Sequence, residues 1–594
     1  MPEDFAAILQ FVDDVAAEPS PETAPYALHY RVLEILQKLL STPISPLEAA
    51  VANAKIGATF LHVEEPHKLR DDNEKPWAKY DVDELLQSMD LENTHLLNQL
   101  GILWSNRTHP ARALCYFQAC EEFCASVQPT AHANDNSKDR FLEVRTHATF
   151  YLAQVYMSLQ LSDESAQYCL TTLELQLGAL LSKRAAGAGN DGDDIVDGVH
   201  EWVKNCLRLA KYYLGVEHLK DAATCLFACE YLLHTVHHLQ DTAGDKSEDG
   251  NEKLRVQHAE ICLSWAKVHQ LVLKSAQFRD EESSLAEEEA DAGSATQSLE
   301  RTRLALCKER DNNENPTSLS PSGMEYVPID TISTFEAART VFKLGMRACE
   351  TAKQVFVLNG FVTQHVRVSQ LESQLYKRLV HFESDRKRQI AMELRRLNLL
   401  TALLAEELNP DAYAALLQEL NYECAEIAAS IFDLKQDKNG GADDKTNVYA
   451  LKAIHFYQQY LLLFYPAPDA GNKSQRTLPS GKAAVRLPPS AMTPSEFRSV
   501  LLGYFGLARV CGRVQFPSDK QKTVLFWKQS LEYHESVIEL VHKYEEQSAK
   551  QTRPMDGDGE TLRQLFDAEL HICREMAELL PEKINQLVYN GKVL

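Results

Sequence analysis

Apolar residues recur at i, i+3, i+4 and i+7 along nearly the whole chain, the spacing that gathers them on one face of an α-helix. Alternating runs of Val, Ile and Thr joined by Asn-Gly or Asp-Gly turns, which would mark hairpins, are missing. The pattern predicts an all-α fold. Polar or Gly- and Pro-containing stretches near 129–139, 184–199, 240–251, 280–330, 436–446 and 466–494 interrupt the pattern and read as loops and linkers. Residues 279–292, RDEESSLAEEEADA, carry seven acids against one base and no wide apolar stripe, so they read as a solvated helix end running into disorder.

Repeats decide the architecture. Leu100, Gly101 and Trp104, followed by Ala113, Phe117 and Cys120, match the tetratricopeptide spacing L-G-x-x-Y, then small, aromatic, small. Leu152, Ala153 and Tyr156 with Ser165, Cys169 and Thr172 repeat these offsets. Leu209, Ala210 and Tyr213 with Ala222, Leu226 and Cys229 repeat them again. In this spacing the small residues at positions 8 and 20 let two antiparallel helices approach, and large residues at 11 and 24 fill the groove between neighbouring pairs. The repeats start at 94, 146 and 203, wider than the usual period of ~34, so helices or loops are longer than standard. Weaker echoes at Trp265 and Ala266, and at Leu507, Ala508 and Cys511, predict that the same stacking continues in the second half.

Composition narrows the function classes. Of 594 residues, 44% are apolar and 25% charged, as expected of a folded chain. The formal net charge of −24 repels nucleic-acid phosphates and anionic lipid, which points to a basic partner. No run reaches the ~20 apolar residues of a membrane span, because Tyr460–Tyr465 is cut short by Pro466. The opening MPEDFAAILQF has early acids and no basic segment, which predicts a cytoplasmic address. The 13 Cys lie mostly within apolar helical patterns and are expected to be reduced core residues.

Enzyme signatures fail. There is no G-x-S-x-G and no G-x-x-x-x-G-K-[ST], and His534-Glu535 lacks the second His of H-E-x-x-H because position 538 is Ile. The Gly/Asp-rich stretch GAGNDGDDIVDG (187–198) has no Lys-Ser/Thr after it and no strand before it, and reads as a flexible insertion rather than a phosphate loop. His234, His237 and His238 beside Cys225 and Cys229 could form a soft metal site, but both Cys occupy repeat positions that pack the groove, so no metal is expected. Cys120 and Cys124 lead to the same reading. Met and aromatic residues at helical spacing, Phe150, Tyr151, Phe335 and Phe342 among them, are expected in the core. The chain reads as a binding protein without cofactor. Positions 2, 5, 6 and 9 of the first helix of such repeats commonly line the concave surface, which makes Tyr151 and Gln154 candidate contacts. By the same count Lys204 and Arg208 point into that groove one turn apart, with a solvated helix face as the alternative.

The segments NQLGILW (98–104), YLAQVY (151–156) with Tyr168-Cys169 and Thr172-Leu173, NGFVTQHV (359–366), HFESDRKRQIAM (381–392), ELNP (407–410), FDLK (432–435) and EMAELLPEKI (575–584) together resemble the KIF-binding protein family, the kinesin-binding proteins. The similarity runs from about residue 93 to the C-terminus. It implies a right-handed tetratricopeptide-like α-solenoid in two subdomains. The corresponding division is an N-terminal repeat subdomain over 1–245, with repeats near 94–127, 146–179 and 203–236, and a C-terminal one over 331–594 with a disordered loop at 466–494. Between them, 246–330 would form a linker helix and a largely disordered acidic insertion. The resemblance further implies binding of kinesin motor domains and blockage of their attachment to microtubules. Control of mitochondrial and synaptic-vesicle-precursor transport and of axon outgrowth would follow, with a cytoplasmic, cytoskeleton-associated monomer as the agent. Tyr151 and Gln154 match contact residues of the family's Y-L-A-Q motif, and Gln176 matches a Gln of the following helix. A family contact Thr is replaced here by Arg208.

A second reading is a tetratricopeptide co-chaperone that clamps peptide C-terminal carboxylates. Lys204 and Arg208 fit the closing pair of that clamp. Asn98, Ile102 and Tyr151 occupy the positions where it needs Lys, Asn and Asn.

Overall fold

A computed structural model describes residues 27–41, 91–126, 135–185, 192–243, 248–282, 321–406, 408–439, 444–465, 478–481, 484–489, 491–550 and 561–592, with isolated positions before residue 60. Among the described residues every regular element is helical. The chain divides into two units, residues 1–257 with 289–323, and residues 258–288 with 324–594.

In the first unit α1 (Ala27–Leu40) buries Val32, Leu33 and Leu36 in a small cluster with Val12 and Val15. Three helical hairpins follow: α2 (Leu91–Asn106) with α3 (Pro110–Ser126), α4 (Asp135–Ser158) with α5 (Ser162–Ala185), and α6 (Gly192–Gly215) with α7 (Leu219–Ala243). From α2 through α7 consecutive helices pack on one another, and α2 also touches α4. These are the three repeats. Their wide period comes from helix length, since α4, α5 and α6 have 24 residues each and α7 has 25. The Gly/Asp-rich stretch corrects one expectation: α6 begins at Gly192, inside the segment read as a flexible insertion, while 187–191 lie outside the described residues. Within the helix Val199 is already buried.

The three hairpin turns are superimposable in their bonding. Thr108, Gln160 and Glu217 each adopt φ 61°. The next residue donates its N–H back across the turn: His109 to Trp104 O at 3.0 Å, Leu161 to Tyr156 O at 3.0 Å, and His218 to Tyr213 O at 2.9 Å. This is the Schellman closure, which usually places glycine at the left-handed residue. Here side chains help to hold it, for His109 meets Trp104 edge-on at 5.6 Å and His218 stacks on Tyr213 at 6.3 Å.

Close approach is the other constant of the hairpins. A methyl group on Gly101 would lie 2.5 Å from the Phe117 ring, which is fully buried. In the second hairpin Ser165 Oγ donates to Ala153 O at 2.8 Å, and in the third Ala210 and Ala222 are both buried without exposed surface. Thiols close two of the pairs, Cys120 Sγ on Thr94 O at 3.7 Å and Cys229 Sγ on Val203 O at 3.8 Å.

Helix α8 (Glu248–Glu282) enters the second unit at His258. Of the acidic stretch 279–292 only its first four residues are described, as the end of α8. The second unit continues with α9 (Phe335–Val355), α10 (Val362–His381), α11 (Arg386–Leu404), α12 (Pro410–Asn439), α13 (Asp444–Leu462), α14 (Pro494–Arg513), α15 (Lys520–Lys550) and α16 (Leu562–Lys592). From α9 onward each helix packs on the next, and α10·α12, α12·α14 and α14·α16 also touch, the pattern of stacked hairpins. The echo at Leu507, Ala508 and Cys511 is real in geometry: Ser530 Oγ donates to Ala508 O at 2.7 Å, the same bond that Ser165 makes to Ala153. Glycines again admit aromatics, with the Gly506 site 2.4 Å from the Tyr457 ring and the Gly503 site 2.8 Å from Tyr460. A buried ion pair links Arg396 to Glu393 at 2.7 Å, and Arg396 Nε donates to Ser373 Oγ at 3.2 Å, tying α11 to α10.

Two predictions follow from this packing. Gly101→Ala should cost ~1 to 3 kcal/mol by overpacking against Phe117, read as a lower urea midpoint of the first unit, and Phe117→Leu in the same chain should recover most of the loss. Burial holds the imidazoles of His269 and His534 down to about 4, against ~6.5 when unfolded. Between these values the unfolded chain binds protons that the folded chain does not, so stability falls as pH drops from ~6.5 to about 4 and levels off below. Replacing both histidines by Gln should flatten that slope in calorimetric pH scans.

Candidate functional site

Along α4 the exposed residues Glu143, His147, Phe150, Gln154 and Met157 follow a spacing of four, three, four and three, which is one helix face. Apolar residues on the opposite side, Ala148, Leu152 and Val155, are buried against the neighbouring helices, so this face has nowhere to point but outward. Gln154 is exposed on it, one turn after Phe150. Tyr151 stands at its edge, half-buried, with its ring stacked on Phe117 of α3 at 5.2 Å and 11°. It is partly a core residue and partly a surface residue.

Phe150 corrects the expectation of a core position: its side chain is 44% exposed, and Met157, two helical turns later, is 52% exposed. The signal was present in the frame that singled out Tyr151 and Gln154, because Phe150 occupies position 5 of the same repeat. Phe335 and Phe342 are half-buried, the latter edge-on to Tyr376 at 4.8 Å.

On α6 the corresponding exposed row is Glu201, Lys204, Arg208 and Lys211. Lys204 pairs with Glu201 at 3.3 Å, and Arg208 Nη1 reaches Asn205 Oδ1 at 3.5 Å. Both are solvated contacts of little energetic weight. The row is thus basic on a chain of net charge −24. Gln176 is half-buried on α5, which packs on both α4 and α6. The structure therefore joins Tyr151 to Gln154 and Lys204 to Arg208 as neighbours along their own helices, with the helix of Gln176 between the two.

The junction between these helices is fixed by polar bonds. Trp202 Nε1 donates to Leu173 O at 2.8 Å, and Tyr212 OH donates to Asp163 Oδ1 at 2.8 Å. Partial burial and that carboxylate push the Tyr212 phenol up to about 12, so it keeps the proton that makes the bond. On the interior side, the hydrogen bond with the Cys206 thiol and then burial push the Cys225 thiol up and keep it protonated, and Cys229 is fully buried, as a core reading requires. Among the described residues no group of three or more His, Cys, Asp or Glu side chains is placed to hold a metal ion. A cleft of about 50 Å³ in the second unit is lined by Leu487, Pro488, Met492, Phe497, Tyr544 and Gln547, and no acid, base or imidazole reaches it. No described helix is long and apolar enough to cross a membrane.

The family described as KIF-1 binding protein C terminal matches residues 200–587, well over half of the chain. The chain belongs to the KIF-binding protein family. Among its relatives, the KIF-binding protein of Gallus gallus is 24% identical over 96% of this chain and 95% of its own length. That of Homo sapiens is 25% identical over 82% of this chain and 76% of its own. That of Drosophila melanogaster is 23% identical over 74% and 66%. A solved structure of a kinesin binding protein (KBP) superposes over 97% of both chains with a TM-score of 0.51 at 20% identity, and the two share a fold.

Two of the motifs that carry the resemblance have local structural roles. In HFESDRKRQIAM, Asp385 caps α11 by accepting from Lys387 N at 3.0 Å, while the buried Glu383 accepts from Asp385 N at 3.0 Å. In ELNP, Pro410 opens α12 and Asn409 O accepts from Tyr413 N at 3.0 Å.

The different settings of the two central residues generate a prediction. Tyr151→Ala should destabilise the first unit by ~1 to 3 kcal/mol through loss of the stacked ring, whereas Gln154→Ala should stay within ~0.5 kcal/mol; denaturant melts of both variants check the contrast.

Proposed function

We propose that this chain binds a kinesin motor domain and thereby prevents the motor from attaching to a microtubule. The observation that carries the reading is family membership joined to a solvated, partly apolar face on α4, where Phe150, Gln154 and Met157 stand exposed beside the half-buried Tyr151. Exposed apolar side chains next to an aromatic that is already ordered by stacking form a suitable anchor for a folded partner. Gln176, Lys204 and Arg208 extend the contact along the neighbouring helices. The protein acts as a monomeric, non-catalytic regulator in the cytoplasm, associated with the cytoskeleton, and so controls microtubule-based transport of mitochondria and synaptic vesicle precursors and the outgrowth of axons.

Charge supports the reading at long range. A motor surface that grips acidic tubulin is basic, and a chain of −24 presents the same sign as the track. The negative charge does not reside on the α6 row, which is basic, so attraction works on encounter while the docked contact rests on shape and apolar anchors. The co-chaperone reading has less support, since Tyr151 stacked on Phe117 stands where a carboxylate clamp needs an amide.

Co-sedimentation tests the proposal. Kinesin motor domains that pellet with microtubules should remain in the supernatant when this protein is in excess, and Gln154→Lys should weaken the effect roughly ten-fold with an unchanged melting profile. Motor domains that pellet equally well with and without the protein would refute it.

A further inference from the structure

The chain re-enters the described structure at Pro321, and its first contact is with an acid. Glu230 of α7 is only 2% exposed, yet its carboxylate does not face a base in its bond to this segment. It receives Ser322, whose Oγ lies 2.8 Å from Oε1 and 2.9 Å from Oε2, while the Ser322 N–H points to Oε2 at 3.4 Å. The next residue, Gly323, turns the backbone with φ 75°, a conformation that a side chain resists, and Met324 is then buried to 1%. The Ser322 hydroxyl proton, with the longer backbone N–H contact beside it, therefore sits between the returning segment and a buried carboxylate.

We propose that Ser322 is a phosphorylation site and that its modification releases this segment from α7. The proposal is independent of the kinesin reading. Ser322 is half-buried rather than enclosed, Pro321 before it is exposed, and Glu325 stands three residues downstream, the spacing that acid-directed serine kinases read. In the transfer the Ser322 Oγ attacks the γ-phosphorus of a nucleoside triphosphate, the bond to the departing diphosphate breaks, and the hydroxyl proton passes to solvent. The product has lost the Ser322 hydroxyl donor and gained ~1.5 to 2 negative charges with three acceptor oxygens. Facing a carboxylate removed from water, those oxygens have no proton to share, and like charges at this distance repel strongly where solvent is excluded.

The test uses the full chain, a purified acid-directed kinase and MgATP, with Ser322→Ala as control. Mass spectrometry should find phosphate on Ser322, and hydrogen exchange in the peptide spanning 321–331 should then accelerate roughly ten-fold. Ser322→Glu should reproduce the acceleration. Ser322→Asn, which keeps a neutral donor, should leave exchange near that of the unmodified chain. Adding Glu230→Gln to Ser322→Glu should restore protection, because the amide can donate where the carboxylate could not. If the kinase fails to modify Ser322 in the folded chain, or if exchange is the same with and without the phosphate, the proposal is wrong; if Glu230→Gln gives no rescue, the carboxylate is not what the phosphate opposes.

Discussion

The structure depends on how closely two antiparallel helices can approach within each hairpin. At repeat position 8 a side chain larger than methyl meets the facing helix, and the chain meets this limit with Gly101, Ala153 and Ala210. The opposing residue then chooses between filling space and bonding. Phe117 lies over Gly101, whereas Ser165 spends its hydroxyl on the Ala153 carbonyl. The second unit reaches the same solution with Ser530 on Ala508 and with glycines beneath Tyr457 and Tyr460. Once the pair is closed, its apolar residues can be covered only by the next pair, and stacking follows from that need.

This constraint also orders the surface. Because Leu152 and Val155 of α4 must face their neighbours, Phe150, Gln154 and Met157 are turned outward as a consequence of helix geometry. An interior requirement thus generates the exposed row, and the chemistry of that row is free to vary from repeat to repeat. It is apolar and amide-bearing on α4 and basic on α6.

Much of this was legible in the sequence because the tetratricopeptide spacing encodes helix contact directly. The hairpins, their register and the buried cysteines could be placed from the small and large positions alone. The start of α6 within the Gly/Asp-rich stretch was not, since glycine and aspartate argue for a loop until the buried Val199 is weighed. Phe150 was misread for a related reason: an aromatic at helical spacing is core only if the facing helix covers it, and sequence spacing does not state which side is covered. The latch between Ser322 and Glu230 spans 92 positions and has no periodic signature at all.

The lengthened helices change the scale on which a partner is met. At ~1.5 Å per residue a helix of 24 residues extends ~36 Å, comparable to the diameter of a small globular domain. A folded partner bound as proposed could lie along one helix instead of stepping across many short ones, and its footprint would run with the helix axis. The exposed row from Glu143 to Met157 alone covers ~21 Å of that length. On the proposed reading, such a surface would follow a partner's contour in one direction and leave neighbouring hairpins to set its orientation in the other.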